Sequence, residues 1–99
     1  MLEISSKAFI DKLQHEPLNI IDIREDFEVQ MGMLEGALHI PMNTIPEHLN
    51  ELDSDKTYYI VCAHGVRSEH VTQYLSEQNY KVVNVQGGMA EIEQLIERS

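Results

Sequence analysis

The stretch Tyr58–His70, YYIVCAHGVRSEH, holds a strand pattern, a loop and the start of a helix in direct succession. From Thr57 the residues are β-branched or aromatic up to Cys62, which is the composition of a buried strand. Gly65 interrupts that run. From about Arg67 onward Val71, Tyr74, Leu75 and Gln78 recur at helical spacing. A strand that passes through a short loop into a helix is the repeating unit of α/β folds. In open sheets of that kind, ligands bind at the carboxyl ends of the strands. Cys62, the expected last residue of this strand, lies at that edge.

The flanking sequence repeats the unit. Residues 2 to 4 suit a short strand, and SSKAFIDKLQH suits a helix capped by Ser5 or Ser6, with Phe9, Ile10 and Leu13 on one face. Pro17 stops that helix, and LNIIDI (18 to 23) is a near-continuous apolar run suited to a buried strand. REDFEVQM allows one or two helical turns before Gly32, and GALHIP allows a short strand ended by Pro41. TIPEHLNEL has capping-box spacing, Thr44 with Glu47 three residues on, ahead of a short helix. VVNV (82 to 85) reads as a further strand. Gly87-Gly88 then turns into a last helix with Met89, Ile92, Leu95 and Ile96 inward. Strands alternating with helices predict an α/β domain, with a mainly parallel sheet and helices on both faces.

Bulk properties narrow the function. Ninety-nine residues with 42% hydrophobic content suit one domain over 1–99. Seven basic against seventeen acidic residues give a net charge of −10, with no Lys/Arg cluster, which disfavours nucleic-acid and anionic-membrane partners. The start, MLEISSKAFIDKL, lacks the basic and apolar regions of a signal peptide, and no apolar run is long enough to span a membrane. A single cysteine cannot form an internal disulfide. A cytoplasmic protein is expected.

Between strand and helix lies CAHGVR. Gly65 permits a positive φ, so the loop can curl and turn several N–H groups toward one point. The following helix presents its positive end there, and Arg67 supplies a permanent cation with a fork of donors suited to an oxyanion. Such surroundings favour a thiolate and hold an anionic group on or near the sulfur. The competing interpretation is a small, buried, inert cysteine beside an ordinary turn.

CAHGVRS resembles the active-site loop of rhodanese-like sulfurtransferases, in which Cys opens a loop closed by Arg with Gly between. IIDIREDFEVQMGMLEGALHIP (20 to 41) is similar to the family's Asp-x-Arg, Glu and Gly-x-Ile-x-Gly-Ala-x-x-Ile-Pro signature, and VQGGMAEI (85 to 92) is similar to its Val-x-Gly-Gly-Met segment. The three occur in family order and span nearly the whole chain. The resemblance implies a single rhodanese domain with a five-stranded sheet flanked by helices. It also implies that Cys62 takes a sulfane sulfur from thiosulfate or a persulfide and passes it to cyanide or a thiol, protein thiols included. Ala63, His64, Gly65, Val66, Arg67 and Ser68 would form the substrate loop, with no cofactor. The chain departs from the family at Met33, Leu34 and Ile92, which are packing positions. It also has Ala63 where many active members carry a cation. With −10 overall, recruitment of dianionic thiosulfate should be poor.

Asp22 and Arg24 follow an apolar strand and are expected to form a structural ion-pair network with Glu28 as a partner. His64 would either tune the sulfur or stand exposed. His39 and His70 are expected to pack or lie at the surface. Cys62, His64 and His70 make no convincing metal set. Ser68 is expected to cap the helix or bond the loop, with no nucleophilic triad. Two rivals remain. A phosphatase or arsenate reductase needs one residue more between Cys and Arg than the four found here. A binding module without turnover would have no need of both Cys62 and Arg67.

Overall fold

A computed structural model describes residues 2–98. Its five strands are β1 (Leu2–Ile4), β2 (Asn19–Asp22), β3 (Leu38–His39), β4 (Thr57–Val61) and β5 (Lys81–Val85). They form one sheet in the order β1-β5-β4-β2-β3, and every pairing is parallel. Register is fixed at the centre, where Ile20 lies opposite Tyr59 and Tyr59 opposite Val83. A one-residue slip would exchange the two faces of each strand, and both are buried here, so the side-chain pattern locks it.

The faces are covered by different elements. Tyr59, Val61 and Val85 pack with Phe9, Met89 and Ile92 from α1 (Ser6–His15) and α4 (Gly88–Arg98). Tyr58, Ile60 and Val82 pack with Val71 and Leu75 from α3 (Val66–Glu77), and with Ile45 from a 3₁₀ segment (Met42–Glu51). From Tyr58 to Val61 every residue of β4 is buried, which explains why an apolar and aromatic run suits this strand: neither face meets water there. Each such side chain, once buried, contributes about 1.5–3 kcal/mol.

Ser5 caps α1 by accepting the Ala8 N–H at 3.1 Å. The expected helix over TIPEHLNEL is instead a 3₁₀ segment that starts earlier, at Met42. Pro46 lies inside it and can donate no backbone hydrogen bond. Thr44 forms no capping box there; its hydroxyl donates to the Pro41 carbonyl at 2.8 Å. In α4, Met89 and Ile92 point inward as expected, but Ile96 is half exposed near the helix end. Cys62 lies one residue beyond β4 and not within it.

The carboxyl end of β2 is braced by charge. Arg24 Nε and Nη2 donate to Asp22 at 3.0 and 2.9 Å, and both residues are buried. The same Nη2 reaches the Gly32 carbonyl at 2.9 Å, and the His39 ring nitrogen Nε2 donates to the Arg24 carbonyl at 2.8 Å. This network closes the ends of the excursion that carries α2 (Asp26–Val29). Removing one partner would leave a buried charge uncompensated, a loss of about 3–5 kcal/mol. Among the described residues no helix is long and apolar enough to cross a membrane.

Candidate active site

The loop after β4 folds around its own cysteine. Cys62 is 1% exposed, and its Sγ accepts the N–H groups of Gly65 at 3.1 Å and Ser68 at 3.3 Å. The thiol donates to Ser68 Oγ at 3.3 Å. Ser68 Oγ in turn donates to Asn84 Oδ1, and Asn84 Nδ2 reaches back to the Gly65 carbonyl at 3.4 Å. Two backbone donors therefore converge on the sulfur, and one hydroxyl oxygen accepts its proton. A negative charge on it would meet fixed dipoles, with no water needed to solvate it.

The curl depends on glycines that touch each other's segments. Gly65 has φ +90°, and a Cβ there would sit 2.7 Å from the Gly87 nitrogen. Gly88 has φ +60°, and a Cβ there would lie 2.5 Å from the Cys62 carbonyl oxygen and 2.6 Å from the Ala63 carbonyl carbon. Any side chain at either position would push the two turns apart. Their closeness lets the first N–H groups of α4 bind the loop from below. Met89 N–H donates to the Cys62 carbonyl at 2.8 Å, and Ala90 N–H to the Ala63 carbonyl at 2.9 Å. The CAHGVRS and VQGGM segments are thus two halves of one interlocked turn.

Arg67 does not offer an open fork. Its Nη1 and Nη2 donate to Glu28 Oε1 and Oε2 at 2.9 and 2.8 Å, a two-bond pair between partly buried side chains. Glu28 Oε1 also accepts the Glu25 N–H at 2.9 Å, completing a capping box at the start of α2. The Arg67 hydrogen bonds hold the Glu28 carboxyl at a pKa of about 2. Glu28 in return raises the pKa of Arg67, with Cys62 among the lesser electrostatic influences on it. The expected network of Asp22, Arg24 and Glu28 is corrected accordingly: Asp22 and Arg24 pair with each other, while the hydrogen bonds of Glu28 go to Arg67 and its own helix cap.

The remaining loop positions divide by exposure. His64 and Val66 are exposed, Ala63 is partly buried, and Gly65 and Ser68 are buried. His70 is exposed. Among the described residues no three His, Cys, Asp or Glu side chains converge as a metal site would require.

The family model of the rhodanese-like domain matches residues 5–95. The chain belongs to the rhodanese-like family. Over 88% of its length this rhodanese-like domain is 50% identical to YtwF of Bacillus subtilis, which is named provisionally as a sulfurtransferase, and the match spans 85% of that protein. Over 87% of its length it is 32% identical to the thiosulfate sulfurtransferase GlpE of Glaesserella parasuis, spanning 81% of it. A crystal structure of a rhodanese-like domain protein from Staphylococcus aureus superposes with a TM-score of 0.89 at 43% identity, covering 93% of this chain and 91% of that one.

Two features of the site escape a reading of residue types along the sequence. Asn84 stands in VVNV as the one polar residue in an apolar strand, and a polar residue at such a position is itself a signal. The Glu28–Arg67 pair joins residues 39 apart in sequence, and no local pattern announces it.

Proposed function

We propose that this rhodanese-like domain is a sulfurtransferase in which Cys62 carries a sulfane sulfur from thiosulfate or a persulfide to a thiophilic acceptor, cyanide or a thiol. The observation that carries this reading is the pair of backbone donors on the Cys62 sulfur, Gly65 N–H and Ser68 N–H, beside the Ser68 hydroxyl oxygen that accepts the thiol proton. In the first half-reaction the Cys62 thiolate attacks the outer, sulfane sulfur of the donor. The donor's S–S bond breaks, and sulfite, or a thiolate from a persulfide, leaves with the bonding pair. In the second, the acceptor attacks the outer sulfur of the Cys62 persulfide. Thiocyanate or a new persulfide leaves, and the Cys62 thiolate returns with no net oxidation. One sulfur nucleophile serves both steps, so the lack of a second cysteine in the chain is no obstacle.

Each residue has a defined task in this scheme. Gly65 and Ser68 stabilise negative charge on the sulfur, and Asn84 orients Ser68. The first turn of α4 holds the loop in its curl. Because Cys62 is 1% exposed, transfer requires the loop to open slightly, and His64 and Val66 are its exposed members.

Cys62→Ser tests the reading, since it removes the nucleophile with almost no change in volume. The folded variant is expected to transfer no sulfur from either donor to cyanide. Thiocyanate formation at the wild-type rate by that variant would overturn the proposal.

A further inference from the structure

The sole cation of the active-site loop is already occupied. Arg67 is the only charged residue from Cys62 to Ser68, and both of its terminal nitrogens are bonded to Glu28. Glu28 cannot easily swing aside, because its Oε1 also accepts the Glu25 N–H and closes the cap of α2. The excursion bearing α2 is in turn tied down by Arg24, which bonds the Gly32 carbonyl while paired with buried Asp22. Arg24 therefore brings no spare positive charge. The acidic neighbours in sequence are Glu25, the N-cap of α2, and Asp26 in its first turn, with Glu69 exposed in the first turn of α3.

We propose that Glu28 determines donor choice by holding Arg67, so that the site takes its sulfur from organic persulfides with an uncharged end and turns away dianionic thiosulfate. This rests on the reading of Cys62 as the sulfur carrier. The backbone donors around Sγ stabilise charge that develops on the sulfur itself, and they do so whatever the rest of the donor carries. A sulfonate end needs a further cation, and the one cation of the loop, Arg67, is paired with Glu28. A persulfide R–S–SH presents its outer sulfur to the Cys62 thiolate; the S–S bond breaks and the R–S thiolate leaves, taking up a proton. No group in that exchange asks for Arg67. With thiosulfate the same attack expels sulfite, a dianion to which the paired Arg67 offers no free terminal nitrogen.

Glu28→Gln tests the inference. The amide keeps the shape and an oxygen for the Glu25 N–H, but releases Arg67 from its ionic partner. The readout is the ratio of kcat/KM for thiosulfate to kcat/KM for the persulfide of 2-mercaptoethanol, so a general disturbance of the loop cancels. The ratio is expected to rise on the order of tenfold in Glu28→Gln, as removal of one facing charge from a dianion's path implies. Methanethiosulfonate, a monoanion, should show a smaller rise. In the double variant Glu28→Gln/Arg67→Ala part of the gain should be lost, because the freed cation is gone. A ratio in Glu28→Gln equal to or below that of the wild type would overturn the inference. Should the wild type load sulfur onto Cys62 while the ratio stays unmoved, only the role of Glu28 fails. If neither donor loads sulfur onto Cys62, the carrier reading fails with it.

Discussion

At the scale of single residues, the surroundings of the Cys62 sulfur are set by Ser68 and Asn84. Ser68 reaches the sulfur through both its N–H and its hydroxyl, and the hydroxyl is aimed by Asn84. Asn84 is 1% exposed, and alternation along β5 places it on the α3 face of the sheet. Asn84→Asp keeps the size but loses the N–H groups facing the Gly65 carbonyl, and it sets a carboxylate one hydrogen bond from Ser68. A like charge so close should suppress the reactive thiolate, lowering the rate of Cys62 alkylation by iodoacetamide by about tenfold or more. An unchanged alkylation rate in the folded variant would show that the amide has no influence on the sulfur. The position of the cysteine at the strand edge, the positive φ of the loop glycine and a bond from Ser68 to the loop were all legible in CAHGVRS. Asn84 was passed over because strand periodicity records only that a position is buried, whereas its partner lies sixteen residues away on another element.

Between elements, the decisive contact is the one between the loop after β4 and the first turn of α4. Strand and helix boundaries followed from apolar runs, capping serines and prolines, because those signals act within a few residues. The 3₁₀ segment departed from expectation for an equally local reason: Pro46 interrupts the backbone bonds that an α-helix needs. Gly87-Gly88 was legible as a turn, but the demand on Gly88 comes from Cys62 and Ala63, and so only the folded chain reveals it. Gly88→Ala would place its Cβ against backbone, which cannot rotate away, at a φ that alanine resists. We expect a loss of about 3 kcal/mol in unfolding free energy, measured by urea denaturation. Retained stability would mean that the α4 turn is not locked onto the loop. At Gly87, with φ +80°, the atoms nearest a Cβ belong to the Glu91 side chain and not to backbone, so the steric part of the demand is milder while the backbone part remains.

Over the whole molecule, the parallel sheet and its two covered faces were the most legible feature, since alternating strands and helices leave few ways to bury both sides of β4. The partnership of charges was the least legible. A net charge of −10 is plain from composition, but which carboxylate faces Arg67 depends on how the excursion after β2 closes on α3. That closure places Glu28 beside the loop and leaves Asp22 and Arg24 as a separate brace. All of this geometry serves one claim, that Cys62 is a sulfur carrier, and intact-protein mass spectrometry tests it most directly. The wild type, treated with the persulfide of 2-mercaptoethanol and freed of excess donor, should gain the mass of one sulfur atom on Cys62. It should lose that mass on addition of cyanide as thiocyanate appears, and Cys62→Ser should gain nothing. A wild type whose mass stays unchanged, or a Cys62→Ser variant that gains the same sulfur, would contradict the account.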